Sequence, residues 1–215
     1  MKARRRLLLL LTATAALATT GCARDKELVD GGLYITRSIC PQVAIPAATG
    51  DITLFNPPGN VTAAAIDVVA TITNLRSTCD DRSDPVLSTA TFDIVATRRD
   101  AGPARTVVVS FFNVAMQGGT QVVAKRVGQV ALNFAAGSQR AQTNSQGIVR
   151  VSRAATVLPA EVRERLSRKR KAGDADAAID PMSDPTVKAA VARATFEHLV
   201  GFELTPEQLR YNATR

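Results

Sequence analysis

The sequence predicts a mainly β protein: an antiparallel β-sandwich of immunoglobulin or fibronectin type with about seven strands, followed by a C-terminal helical segment. Three observations carry this prediction. Apolar and polar residues alternate with period two through much of 33–155. Gly, Pro, Asn and Asp clusters interrupt the alternation at short intervals, as in all-β domains. From residue 156 the texture changes, and proline and glycine sit where helices start and stop.

The strands follow in order: 33–39, 52–55, 62–74, 91–98, 105–116, 121–134 and 147–152. In "AIDVVATIT", Ile66, Val68, Ala70 and Ile72 share one face, and Asp67, Thr71 and Thr73 the other. In "TFDIVAT", Phe92, Ile94 and Ala96 oppose Asp93 and Thr97, and in "VALNF", Val130, Leu132 and Phe134 oppose Ala131 and Asn133. One buried and one solvated face is the pattern of antiparallel sheet. "TVVVSFFNVAM" is apolar on both faces and reads as a central strand. "NPPGN" lies outside any strand because proline cannot donate to a ladder. Gly118 and Gly119 of "QGGT" supply the positive φ of a two-residue hairpin turn. Lys125 and Arg126 interrupt the strand that follows, and a bulge is expected there. An open barrel is the rival architecture.

Three helices are expected after residue 156. The first has Pro159 at its first position and Gly173 just past its end. The second starts at the N-cap Asp184 with Pro185 behind it and runs to Gly201. The third is short, with Thr205 and Gln208 placed as a capping box. The chain thus divides into 1–21, a tether over 22–32, a sandwich over 33–155 and a helical extension over 156–215.

Residues 1–21 read as an export signal. Lys2, Arg4, Arg5 and Arg6 precede an uncharged run from Leu7 to Ala18, and small residues follow. The run is too short for a bilayer span, which needs about 20 residues. The whole chain carries a formal charge of +8. Residues 1–21 hold four basic and no acidic groups, so 23 basic and 19 acidic groups remain after their removal, for +4. That balance gives little ground for nucleic-acid binding. Hydrophobic content of 46% suffices for a core, which is aliphatic because aromatics are 4% and Trp is absent.

Two cleavage points compete. "ALA", Ala16 to Ala18, fits ordinary signal peptidase sites. "TTGC", Thr19 to Cys22, resembles the lipobox of bacterial lipoproteins, matching at Gly21 and Cys22 and departing at Thr19, where the family has an aliphatic residue. The resemblance covers only the first 22 residues. It implies cleavage before Cys22, a diacylglyceryl group on its sulfur and acylation of its new amino group. Ala23 in place of Asp then points to the periplasmic face of an outer membrane. The rest of the chain is similar only in architecture to immunoglobulin-like lipoprotein domains. Cysteine arithmetic fits the same picture. Export exposes the chain to oxidation, and three cysteines are odd. With Cys22 blocked, Cys40 and Cys79 remain as one disulfide; the alternative is two buried free thiols.

No catalytic constellation is expected. His198 is the one histidine, so zinc sites of His-x-x-x-His type are excluded, and it is expected on a helix flank. Asp174, Asp176 and Asp180 lack the central Gly of a calcium loop, and Pro185 stands where its Glu belongs. No metal and no cofactor is expected. Arg163, Arg165, Arg168, Lys169, Arg170 and Lys171 give residues 161–171 a net +4. They are candidates for an anionic-surface contact, and the alternative is a solvated helix pairing with acidic neighbours. The expected function is a membrane-anchored, non-catalytic binding or assembly module with an envelope protein partner. A secreted periplasmic hydrolase is the alternative.

Overall fold

The structure is a computed structural model that describes residues 38–168, 173–175 and 177–214. Two four-stranded sheets pack face to face, so the architecture is the β-sandwich and not an open barrel. One sheet has the order β2-β3-β4-β7, formed by Asp51–Phe55, Ile66–Asp80, Val86–Arg98 and Arg140–Val151. The other has the order β1-β8-β5-β6, formed by Gln42–Ala44, Phe196–Phe202, Arg105–Gln117 and Gln121–Phe134. All pairings are antiparallel except that of β1 with β8, which is parallel. The strand expected at 33–39 falls largely outside the described residues.

Alternation decides which side chains meet. Val68, Ala70 and Ile72 of β3, Phe92, Ile94 and Ala96 of β4, and Leu132 and Phe134 of β6 form one core with Val109 and Phe111 of β5. Phe92 and Phe111 meet edge to face across the sheets, with centroids 5.3 Å apart. The aliphatic composition therefore needs only a few aromatic anchors at the interface between the sheets.

The C-terminal stretch differs from the helical expectation. Helix α1 spans Ala160–Ser167 and α2 spans Pro185–Arg193, with Asp184 capping it through Thr186 N at 2.8 Å. The helix expected to run on to Gly201 stops at Arg193, and strand β8 begins at Phe196. The reason lies in the pattern: Phe196, His198, Val200 and Phe202 are buried, and Glu197 and Leu199 are not. That is period two, and the strand fills the slot between β1 and β5. Helices α1 and α2 are thus an insert between β7 and β8. Helix α3, Pro206–Thr214, carries the expected capping box: Thr205 N donates to Gln208 Oε1 and Gln208 N to Thr205 Oγ1. It docks on β2, where Tyr211 meets Phe55 edge to face and Asn212 Nδ2 donates to the carbonyls of Ala48 and Asp51.

Gly118 and Gly119 have φ of 63° and 74° and turn β5 into β6. The bulge in this hairpin sits at Val123, two residues before the expected place: Ala115 pairs with Ala124 and Met116 with Val122. At the opposite end of the sandwich Arg98 is buried. Its guanidinium donates to the carbonyls of Ser138, Pro103, Gly102 and Ala135 at 2.7–3.1 Å and lies 5.3 Å from the centroid of the Phe134 ring. One side chain thereby holds the loops after β4 and after β6.

Candidate functional site

Most of the chemistry-bearing residues converge on one end of the sandwich. The register puts the start of β1, the β5–β6 turn, the ends of β3 and β7 and the starts of β4 and β8 there. Helices α1 and α2 lie between the end of β7 and the start of β8. Cys40 enters at this end and is bonded to Cys79 near the end of β3, with Cα atoms 6.1 Å apart. The disulfide expected from the cysteine count is present, and it ties the short strand β1 of one sheet to the other sheet. Cys22 lies outside the described residues.

His198 is not on a helix flank. It is fully buried in β8 and faces the other sheet. Asn113 Nδ2 donates to the carbonyl of Ile148 at 2.9 Å, so its Oδ1 is left to accept the His198 Nε2 proton at 2.5 Å. Nδ1 is then unprotonated and accepts the Ser88 hydroxyl at 2.9 Å. A serine hydroxyl donating to an imidazole is the arrangement of an activated nucleophile. Here Ser88 is only 1% exposed and the cluster is sealed between the sheets. It joins β4, β5, β7 and β8.

Burial lowers the His198 pKa from 6.5 to about 4. No carboxylate among its hydrogen-bond partners is there to stabilise the charged ring. An unfolded chain takes up the proton near pH 6.5, while the folded chain resists it until about pH 4. The folded state is therefore at full stability above pH 6.5 and loses about 3 kcal/mol as pH falls from 6.5 to 4. His198→Gln is expected to be less stable at pH 7 and to lack this part of the acid slope. Urea unfolding of both proteins at several pH values measures it; parallel slopes would show that His198 is not the group involved.

The basic run is only partly within the described residues, and Lys169, Arg170 and Lys171 lie outside them. Arg163 is exposed on α1. Arg165 Nη1 donates to Asp184 Oδ2 at 2.7 Å, which links α1 to the cap of α2. The Asp184 carboxyl is held below the usual range, chiefly by the Thr186 backbone N–H and also by Arg165. Arg168 caps α1 and borders an open groove of about 690 Å³ together with Glu164, Asp180 and Asp184, with Ile179 and Val187 among its apolar lining. The described part of the run is thus interleaved with acids. Among the described residues no group of three or more His, Cys, Asp or Glu is placed to hold a metal ion.

No family model, curated protein or solved structure matches this chain. Any functional assignment therefore rests on the residues themselves. Sequence reasoning located the disulfide and the basic run. It missed the Ser88–His198–Asn113 cluster, whose members stand 110 and 85 residues apart in the chain. The one available signal was the alternation of Phe196, His198, Val200 and Phe202.

Proposed function

We propose that this chain is a bacterial cell-envelope lipoprotein, anchored through Cys22, whose sandwich acts as a non-catalytic binding or assembly module for an envelope protein partner. One observation carries the reading. The disulfide uses Cys40 and Cys79, and this leaves Cys22, the residue in the lipobox-like "TTGC", as the odd cysteine. A disulfide that staples a strand fits an oxidising compartment, and an unpaired thiol there calls for a covalent role. Ala23 favours the periplasmic face of an outer membrane by the family's sorting pattern. The one histidine being sealed in the core favours binding over histidine-dependent hydrolysis.

Intact mass of the membrane-extracted protein tests the anchor. The expected species starts at Cys22 and carries diacylglyceryl and acyl additions, and Cys22→Ser is expected to leave the membrane fraction. A chain starting at Thr19 with a free Cys22 thiol would sink the reading. Cross-linking in cells tests the module: a specific protein adduct is expected.

A further inference from the structure

The two ends of the sandwich differ in character. Strand β5, Arg105–Gln117, separates them by about 40 Å at the rise of an extended strand. The end bearing Arg98 is closed by loops tied to its guanidinium, and the exposed valines there, Val61 at 54% and Val108 at 57%, sit on separate elements, the segment before β3 and strand β5. Among the described residues, the large apolar side chains left exposed at the other end and on its helical insert are Val122, Val123, Val127, Val157, Ile179 and Met182. Val122 is 54% exposed, Val123 44% and Val127 55%.

These three valines share the first half of β6, the outer strand of its sheet. Every residue from Gln121 to Val127 is exposed, on both faces of the strand. The two cations among them have different surroundings. Lys125 is held by Glu203 at 2.8 Å and lies 5.7 Å from the centroid of the Phe112 ring. The Arg126 side chain makes no hydrogen bond or ion pair among the described residues. The result is a projecting hairpin with apolar residues near its turn and a guanidinium behind them. The first described residues, 38–41, also lie at this end, where the disulfide fixes Cys40 beside the end of β3.

We infer that the β5–β6 hairpin end is the face that rests on the lipid bilayer, with Val122 and Val123 at the boundary of head groups and acyl chains and Arg126 reaching the phosphates. This rests on the anchoring through Cys22 proposed above. The described chain begins at this end, so the segment from Cys22 joins the sandwich here, and the exposed valines have an apolar medium to enter when this end meets the membrane. The open edge of β6 sets the depth. Its unpaired N–H and C=O groups need water or head-group partners, so the hairpin lies in the interface and does not enter the hydrocarbon. A long cationic stem suits that level, since it buries its methylenes and keeps its charge among phosphates.

The test uses the full, membrane-extracted lipoprotein in vesicles of phosphatidylethanolamine and phosphatidylglycerol. A polarity-sensitive dye is placed on Val122→Cys or, at the opposite end, on Ala101→Cys; the disulfide and the acylated Cys22 leave the new thiol as the one to be labelled. Flotation and intact mass are recorded on the same samples. The expected result is a blue shift at position 122, several-fold stronger quenching there by spin-labelled lipid than at position 101, and loss of the contact when Val123 and Val127 are changed to Asp. A chain that neither floats nor carries acyl groups overturns the anchoring reading, and this orientation with it. A chain that floats with both dyes equally unquenched, or with position 101 the more quenched, overturns the orientation alone. A blue shift at position 122 without lipid quenching means that protein, either a second copy or a partner, covers β6, and it also overturns the orientation.

Discussion

Replacing Arg98 with methionine is expected to lower the free energy of unfolding by about 4 kcal/mol, with little change in the urea m-value. Methionine keeps most of the apolar stem and deletes the charge and every donor. The four carbonyls of Gly102, Pro103, Ala135 and Ser138 then lose a partner that serves two loops at once. Hydrogen bonds from a charged donor are worth about 1.5–3 kcal/mol each, and the cost of burying the guanidinium offsets part of their sum. Arg98→Lys is the sharper variant. A single ammonium can take the place of Nη2, which alone bridges Gly102 and Ala135, but not of Nε and Nη1 as well, so lysine is expected to recover less than half of the loss. A loss under about 1 kcal/mol for methionine, or full recovery by lysine, would show that water or loop rearrangement satisfies these carbonyls.

Removing the disulfide, as Cys40→Ser with Cys79→Ser, is expected to cost about 4 kcal/mol in the chain-entropy account of a loop of this length. The sequence separation of the two cysteines is 39 residues. The local consequence is as specific as the global one. Strand β1 is three residues long, and β8 is the strand it pairs with. Without the covalent tie, β1 is expected to leave the sheet before the rest unfolds, exposing the outer edge of β8. Hydrogen exchange measures this: amides of residues 42–44 should lose protection in the variant, while those of β3 and β4 keep theirs. Unchanged protection at β1 would mean that its ladder suffices alone.

The parts of this structure that could be read from the sequence are those set by neighbours along the chain. The alternation of Phe92, Ile94 and Ala96, the Gly118–Gly119 turn, the Thr205–Gln208 capping box and the Asp184 cap are local, and each lies where its residues placed it. Boundaries were lost where the pattern weakens. The first half of β7 turns Ala141, Thr143 and Ser145 inward, small or polar residues that give no apolar stripe. Strand β3 runs beyond Asn74 to Asp80 through exposed residues, with a register shift and the positive φ of Asn74 between the two parts. Strand β8 was missed because the alanine-rich helix before it leads directly into it and masks the alternation of Phe196, His198, Val200 and Phe202. The candidate site follows the same division. The disulfide came from counting cysteines, whereas the partners of His198 are distant in the chain and became visible only once the sheets were packed.

The position of β8 bears on how the chain acquires its shape. A chain emerging from its N-terminus presents β1 early, and β1 has no sheet to join until the strand between it and β5 is made. The first and the last of the described strands are sheet neighbours, so the separation between contacting residues is large, and such topologies fold slowly because the long loop must close before its contacts form. Until Phe196–Phe202 slots in, β5 presents an open flank. The fold therefore closes like a clasp, and until it does the flank of β5 stays open to edge-to-edge association.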